Sequence, residues 1–328
     1  MAEEVQQLHR VKPGTGGISR QTTGGEFTYT SANGRRISSA ALLGRIQALA
    51  IPPAWDHVWI ASDRRAHIQA TGVDASGRTQ YIYHPQWREL RDDEKFIRSL
   101  AFAQRLPALR RTVTRDLKQE ENARRRALAA AVRLMDRAAL RVGGAAYADE
   151  NGSFGATTLQ RRHVSVEGQA LHLMFRGKSA GTWDIHLNDA LLSDFFAAMP
   201  RTPRTGPALS HPVKSGRKKT WQSISDSEVN AYLGQVAGSG FTAKDFRTWQ
   251  GTVTAALSLA RSQRSGASSP AAVTAAIKDA AAWLHNTPAI ARDSYVNPRV
   301  IALFEQGRVA SLKRQPDAAV LALLTKGS

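Results

Sequence analysis

The hydrophobic and polar positions in the first third of the chain change from a two-residue period to a helical one and back. Residues 26–37 hold two short alternating runs on either side of Asn33 and Gly34, a pair typical of hairpin turns. Residues 38–50 repeat apolar positions three and four apart, which predicts an amphipathic helix. Further strand-like runs follow at 57–60, 66–72 and 79–84.

These runs predict a small, mostly antiparallel β domain with one helix over residues 26–85. The residues before it, 1–25, are polar and rich in glycine, which is typical of a flexible arm. We therefore expect an N-terminal β-rich domain that covers residues 1–90.

From about residue 88 the pattern becomes helical. Residues 107–144 form one long run that ends at a glycine pair, a common signal for a helix C-terminus. Residues 163–187 alternate strand-like runs with glycine turns and predict a three-stranded β element, whereas the basic, Pro- and Gly-rich residues 201–220 predict a linker. Further helices are expected at 188–199, 225–236, 245–264, 269–284, 298–306 and 317–325.

The expected fold class is thus α+β. The small β-rich domain is followed by a larger, mainly α-helical domain at residues 91–328 that contains the three-stranded β element. A chain of 328 residues is long enough for two domains with cores of their own.

Charge is the feature of the composition that bears on function. Lysine and arginine number 45 against 27 acidic residues, which gives a net charge of +18 and a pI near 10.8. A domain this basic is typical of proteins that bind a polyanion such as DNA or RNA, although a merely soluble, highly charged surface would look the same.

Cysteine usage and hydropathy exclude several classes. The chain has no cysteine, so disulfide scaffolds, thiolate zinc sites and cysteine nucleophiles are excluded. It has no apolar run of the roughly 18–20 residues that a membrane span needs, and no signal-peptide core. We expect a cytoplasmic protein without a membrane partner.

Four residues could carry chemistry. Tyr295 ends the segment 286–295, just past a short predicted helix, and the basic candidates are Arg141, Lys178 and Arg247. Each basic residue also has a structural interpretation. Lys178 could be an ordinary hairpin-tip lysine, and Arg141 could complement a helix dipole.

Arg247 lies between Phe246 and Trp249, so we expect it to be partly buried and to need an anionic partner. Asp245 could supply that partner within the chain, and a phosphate is the functional alternative. Lys244 lies on the same turn and adds a second possible contact.

Other catalytic patterns are weak. The Gly-Lys-Ser at 177–179 fails as a phosphate-binding loop, because such a loop needs glycine where His172 stands. The nine histidines show no metal-binding spacing, and carboxylates are sparse near the basic segments. We therefore predict no metal and no nucleotide cofactor. The arginines at 124–126 are typical of a solvated helix face.

A tyrosine that attacks a phosphodiester has three chemical requirements. Its phenol, with a pKa of about 10, must lose a proton. Charge that gathers on the non-bridging oxygens is best stabilised by guanidinium groups. The departing sugar oxygen must be protonated, which a lysine can do. Tyr295, Arg141, Arg247 and Lys178 together meet these requirements.

The motifs around these residues resemble those of type IB DNA topoisomerases, in the compact bacterial and poxvirus branch, over residues 20–310. Leu140–Gly143 matches the family's first arginine motif and gives Arg141. Phe175–Lys178 matches the lysine hairpin, and Lys244–Trp249 matches the second arginine motif. Residues 286–295 match the segment that ends at the nucleophile, Tyr295. Four motifs in this order are highly specific.

The segment that ends at Tyr295 departs from the poxvirus pattern in one place. Poxvirus relatives have histidine nine residues before the tyrosine, where this chain has Asn286, as bacterial members do. The resemblance implies that Asn286 donates a hydrogen bond to a non-bridging phosphate oxygen, and because an amide does not titrate it is no acid catalyst. His285 is adjacent and could be confused with it.

The N-terminal domain also resembles that of the family, in which a strand faces the DNA major groove. The resemblance places Gln80, Tyr81 and Tyr83 against DNA, and the flanking Arg78 favours the same interpretation. The alternative is that these aromatics pack in a core.

The resemblance implies the catalytic fold shared by tyrosine recombinases and type IB topoisomerases, with two lobes that close around double-stranded DNA. It also implies a monomer associated with the nucleoid. The implied activity is relaxation of supercoils through a 3′-phosphotyrosyl intermediate, without ATP or metal. A tyrosine recombinase and a non-catalytic DNA-architectural protein remain the alternatives. Recombinases usually carry a histidine where Lys244 stands, and their N-terminal domain is helical.

Overall fold

The computed structural model describes residues 8–23, 25–144, 148, 152–178, 181–200, 202–215, 218–267 and 269–325. The chain divides into two compact units, Met1–Lys95 and Phe96–Ser328. None of the helices in the described residues combines the length and the apolar composition that crossing a membrane requires.

The described residues of the first unit form a five-stranded antiparallel sheet with the strand order β2-β1-β3-β4-β5. The strands are β1 (Ile18–Thr23), β2 (Glu26–Ser31), β3 (Asp56–Ile60), β4 (Ile68–Val73) and β5 (Thr79–Tyr83). Helix α1 (Ala40–Ala48) contributes Ile46 to the core. The other buried core residues are Ile18, Val58, Ile60 and Ala70.

Two expectations for this unit are wrong. The predicted arm contains β1, which hydrogen-bonds to β2 on one side and β3 on the other and buries Ile18. The predicted second half of the Asn33-Gly34 hairpin is reduced to one bridge between Thr30 and Arg36. Strand β1 forms although its sequence is polar, because pairing with β2 and β3 gives the backbone N–H and C=O groups on both of its edges hydrogen-bond partners.

The second unit is mainly helical, and the three-stranded sheet expected from the sequence is present in the order β6-β7-β8. Its strands are β6 (Val164–Glu167), β7 (Ala170–Arg176) and β8 (Thr182–Asn188). The residues of helix α2 (Pro85–Lys118) run across the boundary between the two units, which falls after Lys95. The later helices are α3 (Ala123–Ala138), α4 (Ala190–Ala197), α5 (Asp226–Ala237), α6 (Ala243–Arg264), α7 (Ser269–Leu284), α8 (Pro288–Ser294), α9 (Pro298–Glu305) and α10 (Pro316–Thr325).

The single long helix predicted over 107–144 is wrong. It is the end of α2 and the whole of α3, separated at residues 119–122, where the Asn122 side chain accepts a hydrogen bond from Arg125 N and so begins α3. Helix α3 ends at Ala138, before the glycine pair, because Ala139 takes a left-handed conformation with φ of 52°. Arg141 therefore lies in the extended segment after the helix.

The linker predicted at 201–220 is also wrong. Its second half forms an antiparallel hairpin of β9 (Ser210–Ser215) and β10 (Lys218–Ser223). Lysine, proline and glycine concentrate there because a two-stranded ribbon at the surface needs little apolar side chain.

The core of the second unit forms around α3 and α6. Most residues of α3 are buried, and α6 buries fourteen of its twenty-two. These two helices carry or immediately precede three functional candidates, so the best-packed part of the unit also positions the candidate site.

Candidate active site

Tyr295 is held at the end of the short helix α8. Thr287 caps the helix by accepting a hydrogen bond from Ile290 N, and Pro288 occupies the first turn, where its missing N–H costs nothing. Tyr295 N donates to Ala291 O at 3.1 Å. Its own carbonyl accepts a hydrogen bond from Thr252 Oγ1 on α6 at 3.0 Å, so the backbone of the tyrosine is tied to the core helix.

Gly251 lets the tyrosine approach α6 closely. A Cβ on Gly251 would stand 2.9 Å from Tyr295 Cβ and 3.0 Å from Leu284 Cδ1, closer than carbon atoms normally pack. Neither Gly251 nor Thr252 was identified from the sequence. The only signal was a lone glycine inside a helical pattern, which often marks a close approach.

Arg247 is 3% exposed and is held by backbone carbonyls. Its Nη1 donates to Ala139 O at 2.5 Å, at the end of α3, and its Nη2 donates to Leu284 O at 2.8 Å, at the end of α7. Helix C-termini carry a partial negative charge. The C-termini of two helices therefore compensate the buried charge of Arg247, and no carboxylate is needed.

The expectation that Asp245 could be the internal partner of Arg247 is wrong. Asp245 accepts two hydrogen bonds from Arg98, at 2.8 and 2.9 Å, and one from Thr242 N, which fixes the start of α6. The acid next to Arg247 in sequence is thus committed elsewhere, and the guanidinium remains available to an anion.

The segment that carries Arg141 is fixed by two glycines. Gly143 has φ of 88°, and a Cβ on Gly155 would lie 2.6 Å from Gly143 N, so the two backbones touch. Ala156 N donates to Arg141 O at 2.9 Å, and the Thr157 hydroxyl donates to the carbonyl that follows it at 3.1 Å. The Leu-Arg-Val-Gly motif thus fixes the backbone of its arginine.

Asn286 lies at the C-terminus of α7, where it meets Arg141. Asn286 N donates to Ala281 O and His285 N to Ala282 O, with His285 at φ of 47°, a Schellman ending with histidine at the position that usually holds glycine. Arg141 Nη2 donates to Asn286 Oδ1 at 3.0 Å.

Two buried nitrogen atoms of the candidate site make no normal hydrogen bond. Arg247 Nε and Asn286 Nδ2 have no partner among the described residues, which is rare for buried polar atoms. Because Asn286 Oδ1 accepts from Arg141, its amide nitrogen is the atom left to donate.

The cations alter the titration of the tyrosine. Burial is the largest single influence and raises the pKa of Tyr295, but the charges of Arg247 and Arg141, with the nearby donor groups of Arg247 and Asn286, together lower that pKa below its ordinary value. The guanidinium carbon of Arg247 lies 5.1 Å from the centre of the phenol ring. Burial and then the charge of Arg141 lower the pKa of Arg247 to about 10.

Lys178 lies at the exposed tip between β7 and β8, as expected. Gly177 before it packs on Trp183, and a Cβ there would lie 2.1 Å from the indole nitrogen. Trp183 in turn stacks on His285, with ring centres 3.9 Å apart. The hairpin base is therefore packed on the turn that carries Asn286, and the ring of His285 is occupied by Trp183. No sequence pattern predicts this stack.

The structure thus groups Tyr295, Arg141, Arg247 and Asn286, with Lys178 on a hairpin anchored beside them. Lys244 is exposed on the first turn of α6.

The expectation of a solvated face at 124–126 is wrong in part. Arg124 pairs with Glu228, Arg125 Nε lies 2.7 Å from Asp116 Oδ2, and Arg126 Nε donates to a carbonyl of α2. These arginines join α3 to its neighbours.

In the first unit, β5 carries three of the four predicted DNA contacts and divides them between its two faces. Tyr81 is 44% exposed and stacks on Tyr83, with ring centres 5.9 Å apart, while Ile82 packs against the core. Gln80 alternates to the other face, where its amide donates to Asp74 Oδ2 at 2.8 Å. Arg78 precedes the strand, and its backbone N donates to the same carboxylate. The two tyrosines therefore lie outside the described core.

Comparison with known proteins gives the class of this site. A family model described as the catalytic core of eukaryotic DNA topoisomerase I matches residues 84–306, more than half of the chain. A second model, the N-terminal domain of bacterial DNA topoisomerase IB, matches residues 26–74. The chain therefore belongs to the type IB DNA topoisomerases, which are isomerases acting on DNA.

A relative of similar length supports this assignment. The protein described as DNA topoisomerase 1B from Acanthamoeba polyphaga mimivirus is 29% identical over 318 residues, which cover 94% of this chain and 93% of the relative. The similarity thus extends through both units.

Proposed function

We propose that the enzyme relaxes supercoiled double-stranded DNA by transient cleavage of one strand, with Tyr295 as the nucleophile. Tyr295 Oη attacks a backbone phosphorus, the bond to the 5′ oxygen breaks, and a 3′-phosphotyrosyl linkage and a free 5′-hydroxyl result. After rotation the hydroxyl attacks the same phosphorus and releases the tyrosine. Each step exchanges one phosphodiester for another, so neither ATP nor a metal ion is needed.

The observation that carries this proposal is the set of cationic and amide donors around one phenol. Arg247, Arg141 and Asn286 all lower the pKa of Tyr295, so they lie where its charge develops. A bound phosphodiester would give Arg247 Nε and Asn286 Nδ2 the acceptors that the described residues do not supply. Fixed donors at developing charge are a major source of catalysis.

Lys178 is assigned the general-acid role. The departing 5′ oxygen needs a proton, and a lysine at a hairpin tip can reach a substrate that binds over the site. The anchoring of the hairpin through Trp183 and His285 supports this role.

The remaining assignments follow from the same proposal. Lys244, Tyr81, Tyr83, Arg78 and Gln80 are proposed DNA contacts. The second unit adopts the catalytic fold shared with tyrosine recombinases, the enzyme acts as a monomer, and it works on the nucleoid in the cytoplasm.

Replacement of the nucleophile is the direct test. Tyr295→Phe removes only the hydroxyl, and we expect plasmid relaxation and covalent trapping on DNA to be abolished, with both supercoil signs relaxed by the unaltered enzyme without ATP or metal. Tyr29→Phe, on β2 of the first unit, is the control and keeps full activity. A Tyr295→Phe enzyme that still relaxes plasmid DNA would remove Tyr295 from this role. An architectural protein cleaves no strand and would relax neither supercoil sign, and a tyrosine recombinase would in addition exchange strands between two duplexes.

A substrate with sulfur in place of the 5′ bridging oxygen tests Lys178. Sulfur leaves without protonation, so Lys178→Ala cleaves this substrate at nearly the normal rate while it cleaves the oxygen substrate at least about 100-fold more slowly, the usual range for general-acid loss. Equal slowing on both substrates would contradict the general-acid role.

A further inference from the structure

A cluster of metal-ligating side chains lies on the outer face of the β7–β8 hairpin, apart from the four residues around the phenol. His172 and His186 are directly opposed on the two strands, and their rings stack 4.2 Å apart at an angle of 5°. Asp184 Oδ1 lies 2.8 Å from His172 Nε2 and 3.3 Å from His186 Nε2. One oxygen therefore reaches both rings.

The three groups match the donor set of a divalent transition-metal ion. One ligand atom from each side chain lies within 4.8 Å of the others. Zinc binds imidazole nitrogen at about 2.0–2.1 Å and carboxylate oxygen at about 2.0–2.2 Å, which puts neighbouring ligand atoms roughly 3.4 Å apart in a tetrahedron. The parallel rings need a modest rotation about χ2, a soft torsion, to aim at one point.

The surroundings allow a metal to enter. Asp184 and His186 are exposed, and both line an open cleft of about 630 Å³, so water can complete the coordination. The Asp184 carboxylate offsets locally the positive charge of the chain, and Arg137, which lines the same cleft, lies 3.9 Å from a carboxylate oxygen of Asp189.

Linear spacing could not identify this cluster. Asp184 and His186 are two residues apart on one strand and thus share a face, whereas His172 comes from the neighbouring strand through the register of the sheet. Spacing along the chain, on which the expectation of no metal site rests, does not reveal a cluster that forms across two strands.

We propose that His172, Asp184 and His186 form a binding site for a divalent transition-metal ion of the zinc class. The ion joins β7 to β8 below the tip that carries Lys178. It takes no part in the phosphoryl transfer. Imidazole and carboxylate together favour zinc, copper or nickel over magnesium, which prefers oxygen ligands alone.

Calorimetric titration of Zn²⁺ into the full, untagged, chelator-treated chain tests the proposal. We expect one ion per molecule, with affinity lowered at least tenfold by His172→Ala, His186→Ala or Asp184→Asn. His9→Ala is the matched control, because His9 also pairs with a carboxylate, Asp63, at 2.9 Å, but among the described residues no third ligating side chain joins that pair. Its affinity for Zn²⁺ should equal that of the unaltered chain.

The visible absorption spectrum of the chain with bound Co²⁺ is an independent test. A site with two imidazoles and a carboxylate produces visible absorption bands, and the three hairpin variants should lose them. Absence of Zn²⁺ binding would overturn the proposal. So would binding that the hairpin variants leave unchanged, or that His9→Ala weakens equally. The three side chains are on the outer face of the sheet, and circular dichroism confirms that each variant is folded.

Discussion

At the scale of single residues, two tyrosines of the second unit show how neighbours decide a pKa. Tyr232 donates to Asp116 Oδ2 at 2.7 Å, and its burial, together with that carboxylate, raises the pKa of the phenol far above its ordinary value. Burial has the same direction at Tyr295, yet the two arginines beside it outweigh burial and lower the pKa of that phenol. Arg125 lies 5.2 Å from the ring of Tyr232, about as close as Arg247 lies to the ring of Tyr295, so the carboxylate of Asp116 makes the difference between the two phenols.

This contrast gives a direct prediction about Arg141. Its charge stabilises the phenolate, so Arg141→Ala raises the pKa of Tyr295, and single-turnover cleavage then needs a higher pH. Carbon-13 labelling of the tyrosine ring carbon that bears oxygen follows the titration of the free protein by NMR, and Tyr295→Phe assigns the signal. In the unaltered chain this signal titrates below that of an exposed tyrosine. An unchanged midpoint in Arg141→Ala would show that the arginine does not act on the phenol.

At the scale of elements, one turn of α6 organises the site. Arg247 and Gly251 are four residues apart and share a face of the helix. Arg247 donates hydrogen bonds to the ends of two helices, and Gly251 leaves room for the close approach of Tyr295. Thr252 is next in line and accepts a hydrogen bond from Asn297 N while it donates to Tyr295 O. Gln250 donates to the carbonyls at the end of α3. The helix thus fixes the nucleophile and the cation together.

A methyl group at Gly251 tests this arrangement. Alanine is favoured over glycine in a helix by about 1 kcal/mol, but here its Cβ must displace Tyr295 or Leu284. We expect Gly251→Ala to lower the cleavage rate at least about tenfold, as a displacement near 1 Å can cost 100-fold. Cleavage of a nicked suicide substrate measures the rate.

Gly234→Ala on α5 is the control for that measurement, because a Cβ there meets no atom within 4 Å. This variant gains the helix preference, raises Tm by about 2–4 °C for a unit of this size and keeps its activity. Normal cleavage by Gly251→Ala would mean that the contact with Tyr295 does not position the nucleophile.

Side-chain chemistry could be read from the sequence, whereas backbone partners could not. The segment 286–295 predicts its own short helix and the tyrosine just past it, because proline and spacing act locally. Arg247 was expected to need an anion, but its partners are carbonyls at residues 139 and 284, which no residue type reveals. The same limit explains the missed strand β1, whose polar sequence is stabilised by hydrogen bonds to both neighbours.

At the scale of the whole molecule, the positive charge available to a polyanion is carried by fewer residues than the composition shows. Many carboxylates are already paired inside the second unit, including Asp116, Asp136, Asp189, Asp245 and Asp317. Their arginine partners stabilise the fold and contribute less to binding. The remaining cations, such as Lys244, therefore account for the attraction to a polyanion.

This distinction predicts how DNA binding responds to salt. Each phosphate contact releases counterions, so the logarithm of the binding constant falls with the logarithm of the salt concentration by about 0.9 for each contact on duplex DNA. We expect a steep slope for the chain, and a slope smaller by about 1 for Lys244→Ala, measured by fluorescence anisotropy from about 50 to 200 mM salt. The site lies beside the first turn of α6, where Lys244 is exposed.

Lys118→Ala is the matched control for Lys244→Ala. Both variants remove one exposed lysine. Lys118, however, lies shortly before the start of α3, whereas Arg141 follows the end of that helix. The sixteen residues of α3 span roughly 24 Å and separate Lys118 from the site. The two variants therefore have the same net charge and differ in distance from the proposed phosphate. Equal slopes for both would mean that charge acts through the whole molecule, with no contact at Lys244. A flat response of the unaltered chain would contradict binding to the phosphate backbone altogether.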